Sequence, residues 1–221
     1  MSSASDGRAA VSRQSGPLAI RAVILDLGNV VVPYDHGRAC RAAARRSPLA
    51  ADDILRRLWG SGLVNRFDGG RIGPRAFFAE VRRIIDYRGT LADLRRCWVE
   101  IFRPNPAMER LVRQLVERYR LALLSNTNRP HFEYVRRRFP IVRTFRRRVL
   151  SYEVGLLKPD PAIYRLAVKK TGCVPAECVY VDDHPVLAGA AEAVGMTGLV
   201  FRGASRLRAD LKRLGAAVDG G

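Results

Sequence analysis

Short, wholly apolar runs alternate with amphipathic stretches over most of this chain. Val23, Ile24 and Leu25 lie in Ala22-Val-Ile-Leu-Asp-Leu-Gly-Asn-Val30 and read as a strand buried on both faces, the kind found in parallel sheets. From Pro106 onward the same alternation recurs. Leu111, Val112, Leu115 and Val116 give one apolar face to a helix over 108–119, and Leu121 to Leu124 is an apolar run bounded by polar residues, hence a strand. A helix over 130–139 precedes a short strand at Val149-Leu150. Asp160-Pro161 then opens a helix, with Asp as N-cap and Pro at the first helical position, and Gly172 closes it. Cys178 to Val181 is the next strand, 185–194 a helix ended by Gly195, Leu199 to Phe201 the last strand, and 205–214 the last helix. Strands that alternate with helices predict an α/β fold: a doubly wound, Rossmann-like parallel sheet with helices on both faces.

The stretch from Asp35 to Arg103 differs. Its apolar residues recur at helical spacing (Ile54, Leu55, Leu58; Phe77, Phe78, Val81, Ile84, Ile85; Leu91, Leu94, Trp98, Ile101, Phe102), and Asp68-Gly69-Gly70 and Gly73-Pro74 mark turns. The division expected is an α/β core over 18–34 and 104–221, a small all-helical insertion over 35–103, and a disordered leader over 1–17 without the apolar segment of a secretory signal. Trp59 and Trp98 are expected in the core of the insertion, His131 on an exposed helix face, and Thr127 and Asn128 in a turn.

Composition narrows the picture. At 221 residues and 48% hydrophobic content the chain can build a real core, and no apolar run reaches the ~20 residues of a membrane span. Cys40, Cys97, Cys173 and Cys178 form no C-x-x-C pair and have no histidine cluster beside them. That argues against zinc and for reduced thiols in a cytoplasmic protein. The net charge is +18, with 35 Arg and only 4 Lys. Arg136-Arg137-Arg138 and Arg146-Arg147-Arg148 are the densest clusters. Arginine also recurs throughout the chain, which favours solvated faces over a nucleic-acid surface, while the charge still draws small anions toward a cleft.

Three predicted strands end in polar groups: the first at Asp26, the second at Ser125-Asn126-Thr127-Asn128, and the fourth at Asp182-Asp183. A buried parallel strand has no structural use for a carboxylate at its end, and the carboxyl edge of such a sheet is where ligands bind. Asp26 can there be a nucleophile, a metal ligand or both. Gathered carboxylates repel unless a cation joins them, and all-oxygen ligands suit Mg²⁺. Ser125, Asn126 and Lys158, the last in Leu156-Leu-Lys-Pro-Asp-Pro161, complete the inventory for phosphoryl transfer.

Taken together, Asp26-Leu-Gly-Asn-Val30, Leu124-Ser-Asn-Thr-Asn128, Leu157-Lys-Pro-Asp-Pro161 and Val181-Asp-Asp183 resemble the four ordered motifs of the haloacid dehalogenase (HAD) superfamily. They look most like the bacterial phosphatases related to α-D-glucose-1-phosphate phosphatase. Each motif is weak alone; four in order on the right elements are specific. The likeness runs from about Ile20 to Phe201 and includes a helical cap containing Phe67-Asp-Gly-Gly-Arg-Ile72. It implies a Mg²⁺-dependent phosphatase of a small sugar phosphate. Asp26 would form an aspartyl-phosphate. Asp26, Asp183 and the Gly28 carbonyl would bind the metal, with Asp182 binding or supporting it from beside. Ser125, Asn126, Gly28 and Asn29 would contact the phosphoryl group, Lys158 would neutralise charge, and the cap would choose the substrate.

Two positions depart from the pattern. Gly28 stands where most such phosphatases carry a second aspartate, the general acid and base, and Asp35 and His36 are the nearest polar substitutes. Leu187 stands where a hydrogen-bonding residue usually orients the lysine or the metal shell, a task His184 could take over. These departures keep open a weakened domain that binds a phosphorylated ligand or partner. A 2-haloacid dehalogenase is the other alternative, against which Asp182-Asp183 argues.

Overall fold

In the computed structural model residues 19–218 are described, and the expected leader, 1–17, lies outside them. Strand β1 (Ala22–Leu25) is followed by five helices: α1 (His36–Ala44), α2 (Ala51–Gly60), α3 (Leu63–Asp68), α4 (Pro74–Ile84) and α5 (Leu91–Val99). Then come α6 (Pro106–Arg118), β2 (Arg120–Ser125), α7 (Arg129–Arg138), β3 (Arg147–Leu150), α8 (Ser151–Val154), α9 (Pro161–Thr171), β4 (Cys178–Asp182), α10 (Pro185–Ala190), β5 (Thr197–Val200) and α11 (Ala204–Arg213). The strands form one parallel sheet in the order β3-β2-β1-β4-β5.

Alternation along the strands sorts side chains onto two faces. Val23, Leu25, Leu121, Leu123, Val179 and Val181 pack with residues of α6, α7 and α11. Ala22, Ile24, Ala122, Leu124, Val149 and Tyr180 pack with Ile163, Tyr164, Ala167 and Val168 of α9. Both faces are covered, which is why the strands read as unbroken apolar runs.

Between β1 and α6 the five helices enclose a separate apolar cluster that includes Ile54, Leu58, Phe67, Phe77, Ile85, Leu94 and Trp98. Asp35 caps α1 by accepting from Gly37 N at 2.8 Å, and Thr90 caps α5 by accepting from Asp93 N at 3.0 Å. The chain leaves and re-enters the α/β part side by side: Asp35 N donates to Ile101 O at 3.2 Å and Arg103 N to Pro33 O at 2.9 Å. Gly70, at φ 69°, marks a close approach of the helical unit to the core. A Cβ there would lie 2.4 Å from the Tyr152 carbonyl oxygen, so only glycine fits.

Most boundaries shift by one or two residues from the sequence expectation, and two of the shifts bear on the site and the sheet. Strand β2 continues through Ser125, which puts its hydroxyl at the sheet edge. The helix from Pro185 stops at Ala190 and passes into a 3₁₀ turn before Gly195, where Gly198 of β5 presses against the Ala188 carbonyl. The four cysteines are unpaired, and no described helix is long and apolar enough to cross a membrane.

Candidate active site

In the strand order β3-β2-β1-β4-β5 the chain switches direction across the sheet beside β1, and ligands in open α/β folds bind at such a point. Register carries the acids there. Leu25 pairs with Val181, and Asp26 N donates to Val181 O at 2.9 Å, so Asp26 lies next to the Asp182-Asp183 pair. One carboxylate oxygen from each of Asp26, Asp182 and Asp183 lies within 4.8 Å of the others.

Lys158 enters from the loop before α9. That loop is fixed by Asp160, which accepts from Ala162 N at 2.8 Å, and by Asn126, which accepts from Lys158 N at 2.8 Å and donates to Lys158 O at 3.1 Å. Lys158 is only 5% exposed, and the three protons of its ammonium are all used: on Asp26 Oδ1 at 2.9 Å, Asp182 Oδ2 at 2.7 Å and the Tyr180 hydroxyl at 2.8 Å. Burial works against its charge, yet the two carboxylates outweigh it and hold its pKa above the usual lysine value. Burial is also the largest influence on Asp26 and pushes its carboxyl up to about 6; Lys158 pulls it down and Asp182 adds to the rise.

Several sequence expectations change at atomic detail. Asn126 lines the cavity, and both ends of its amide clamp the Lys158 loop. Asn29 lies in the left-handed region at φ 55°. It donates to Asp183 Oδ2 at 3.0 Å and accepts from Tyr34 N at 3.2 Å, so it orients a carboxylate. Asp182 has both oxygens engaged: Oδ2 meets Lys158 and Tyr180, and Oδ1 accepts from His184 N at 2.9 Å. It supports the site from behind, and His184 contributes through its main chain. The hydrogen-bonding support absent at Leu187 comes from Tyr180, which sequence reasoning missed. The signal was there, because Tyr180 and Asp182 are two residues apart on one strand and face the same side. Ser125 lines the cavity, and its nearest partner is a marginal 3.5 Å contact to Asn126 O.

A cavity of about 260 Å³ opens over this cluster, walled on the helical side by Tyr34, His36, Trp59, Asp68 and Trp98. Asp35, the other suggested substitute acid, caps α1 and pairs with Arg41 at 2.8 Å. His36 is in the cavity wall, but burial brings it down to about 4 and leaves it neutral at pH 7. Trp98 belongs both to the apolar cluster of the helices and to the cavity wall.

His131 is not exposed, contrary to its helix-face pattern. Its ring stacks on Trp98 with centroids 5.0 Å apart. Nε2 lies 2.9 Å from Trp98 O, an acceptor only, so Nε2 carries the proton and Nδ1 accepts from Asn128 Nδ2 at 3.2 Å. Asn128 is likewise more than a turn residue. It caps α7 by accepting from His131 N, and its Nδ2 donates to Asp68 Oδ1 at 2.8 Å. This chain of bonds ties α5 and α3 to α7 through a neutral imidazole. Burial, with His36 adding to it, holds His131 down to about 3, against 6.5 ordinarily. A lowered histidine pKa gives stability that is complete above pH 6.5 and is lost as pH falls toward 3. The Tm gap between the unaltered protein and His131→Gln is therefore expected to narrow between pH 7 and pH 4; a gap constant with pH would refute a neutral, buried His131.

The two arginine clusters meet away from this site. Arg136 and Arg137, Arg146 and Arg148 line a shallow depression of about 990 Å³ beside α7 that contains none of the four motifs.

Comparison with known proteins agrees with the geometry. The chain is 25% identical over 174 residues, 74% of its length and 83% of the relative's, to a D-ribitol-5-phosphate phosphatase of Bacteroides thetaiotaomicron. It is 29% identical over 136 residues, 61% of its length and 69% of the relative's, to the sesquiterpene phosphatase astK of Aspergillus oryzae. Its fold matches a HAD family enzyme of Bacteroides thetaiotaomicron solved with magnesium and inorganic phosphate, at TM-score 0.76 and 23% identity over 84% of this chain and 96% of that one. The family model of haloacid dehalogenase-like hydrolases matches residues 20–195, and the chain, with its acids and lysine gathered at the switch point of the sheet, belongs to that family.

Proposed function

We propose that this protein is a Mg²⁺-dependent phosphomonoesterase of a small hydroxyl-bearing phosphoester, a sugar or polyol phosphate such as α-D-glucose 1-phosphate, working through an aspartyl-phosphate on Asp26. The observation that carries this reading is the convergence of Asp26, Asp182 and Asp183 at the switch point, with Lys158 across from two of them. The phosphatase relatives and the fold neighbour holding magnesium and phosphate support it.

The donor set fits a hard cation: each of the three carboxylates offers an oxygen, and Asp183 is held by Asn29 while Asp182 Oδ2 is engaged by Lys158 and Tyr180. Asp26, Asp183 and the Gly28 carbonyl would hold Mg²⁺, which when bound neutralises charge on the phosphoryl oxygens. The chain does the rest. Lys158 keeps Asp26 ionised and fixes its rotamer. Ser125 receives an equatorial oxygen. Asp26 attacks phosphorus, and water then releases phosphate and restores the carboxylate. The cavity of about 260 Å³, partly covered by the cap, suits a small ester.

A second reading, a domain that binds a phosphorylated ligand without turning it over, draws on Gly28. A Cβ there would lie 2.5 Å from Tyr34 Cε1, so the usual second aspartate has no room. A screen of sugar phosphates, polyol phosphates and 4-nitrophenyl phosphate separates the readings. Hydrolysis that requires Mg²⁺ and is abolished by EDTA is expected. Mg²⁺-dependent phosphate binding without turnover supports the second reading, and metal-independent release of halide from 2-haloacids would establish a dehalogenase.

A further inference from the structure

The position that usually supplies the leaving-group proton is Gly28, and Tyr34 occupies the space beyond it. A carboxyl group reaches the same cavity from the opposite wall. Asp68 ends α3 in the helical unit, and its main-chain oxygen is held by Ser151 Oγ at 2.6 Å. Ser151 in turn accepts from Thr127 N at 2.8 Å, in the loop after β2. The side chain is fixed as well, since Asn128 Nδ2 donates to Oδ1 at 2.8 Å, while Oδ2 takes no partner among the described residues.

We infer that Asp68 is the general acid and base of this enzyme, delivering its Oδ2 proton to the leaving oxygen. The inference rests on the phosphatase reading above and names the group that completes it. Donation by Asn128 to Oδ1 leaves Oδ2 as the oxygen that carries the proton. Burial favours the protonated form, raising the carboxyl to about 6, with Asn128 pulling the other way. The other titratable groups of the helical-side wall do not substitute. His36 and His131 are neutral with lowered pKa values, and the Tyr34 hydroxyl is held well above its usual range by burial and by the surrounding acids, Asp26 foremost. Lys158, on the core side, has every proton engaged.

The step balances. The Asp26 carboxylate forms a bond to phosphorus as the bond from phosphorus to the leaving oxygen breaks. The electron pair goes to that oxygen, which takes the proton from Asp68. In the second half, water attacks phosphorus and gives its proton to the Asp68 carboxylate, and Asp26 is released. Because Asp68 sits in the cap, the acid reaches its place only with α3 docked on Ser151 and Asn128.

Asp68→Asn tests this, because the amide keeps the oxygen that accepts from Asn128 and loses the acid. Expected is a fall in kcat/KM, which reports formation of the aspartyl-phosphate and not its hydrolysis, of about 10²–10⁴ for an alkyl phosphate such as a polyol phosphate, and of only a few-fold for 4-nitrophenyl phosphate, whose leaving group needs no proton. Equal losses of kcat/KM on both esters would overturn the assignment. A measurement free of folding effects accompanies it: in the unaltered protein kcat/KM should depend weakly on leaving-group pKa across a series of phosphate esters, and a steep dependence would also overturn it. Wild-type protein inert toward every ester would instead defeat the phosphatase reading itself.

Discussion

Asp26→Asn is expected to abolish turnover of every phosphoester, by about 10⁴-fold or more, since loss of the nucleophile closes the covalent route. The same change should leave the fold intact or slightly more stable. Asparagine keeps an oxygen for Lys158 at the position of Asp26 Oδ1, and it removes a carboxylate whose charge burial disfavours, as its rise to about 6 records. Lys158 retains Asp182, so one buried cation still faces one buried anion. The paired measurement is a phosphate-release assay and a thermal melt without Mg²⁺. Residual activity near wild type would eliminate the covalent mechanism. A large drop in Tm would show that Asp26 is needed for folding rather than disfavoured by it.

Lys158→Ala should have the second large effect, on both activity and stability. The ammonium is the shared partner of Asp26 and Asp182, and all three groups are buried. Removing one member of a buried ionic set costs about 3–5 kcal/mol because the remaining charge has no counterpart. Activity should fall with it, because Asp26 loses both its orientation and the charge that favours its ionised form. The pH dependence has a definite sign. Asp26 already titrates at about 6, against 3.8 ordinarily, and without the ammonium it moves further up. A raised carboxyl binds its proton in the folded state first, so the variant regains stability as pH is lowered from neutral toward its ordinary value. Mg²⁺ should also recover part of the loss by supplying positive charge. A melt insensitive to both pH and Mg²⁺ would contradict the pairing. Lys158→Met, close in length, keeps the packing and separates the loss of charge from the loss of volume.

The two variants thus diverge in stability while agreeing in activity. That divergence follows from the stoichiometry of the cluster, in which one ammonium serves two carboxylates and the Tyr180 hydroxyl. A site built only for stability would not carry the surplus acid. With Asp183 added, the surplus is what a divalent cation neutralises.

The placement of Asp26, Ser125 and Asp182-Asp183 at one sheet edge was readable from the chain, because an apolar run buried on both faces gives the strand and the polar residue after it marks the strand's end. The helical stretch between β1 and α6 was readable for the same reason, from spacing that fits 3.6 residues per turn. Lys158 was found through its KPDP setting, where Asp160 and Pro161 announce a helix start. His131 was misread because periodicity describes a helix against its own core and not against another helical layer laid over it. The side that looks solvated on α7 is covered by Trp98 of α5.

Local pattern by itself therefore determined which elements form, which faces they bury and which polar residues stand at the edge. Tertiary structure alone decided the partners. Lys158 and Asp26 are 132 residues apart, Asn29 and Asp183 154, and Asn128 and Asp68 60. Whether an amide meets a phosphoryl oxygen, a lysine loop or a carboxylate depends on strand register and on how the helical unit sits over the sheet. Hydrogen bonds require alignment within a few tenths of an ångström, and periodicity along the chain carries no information at that scale.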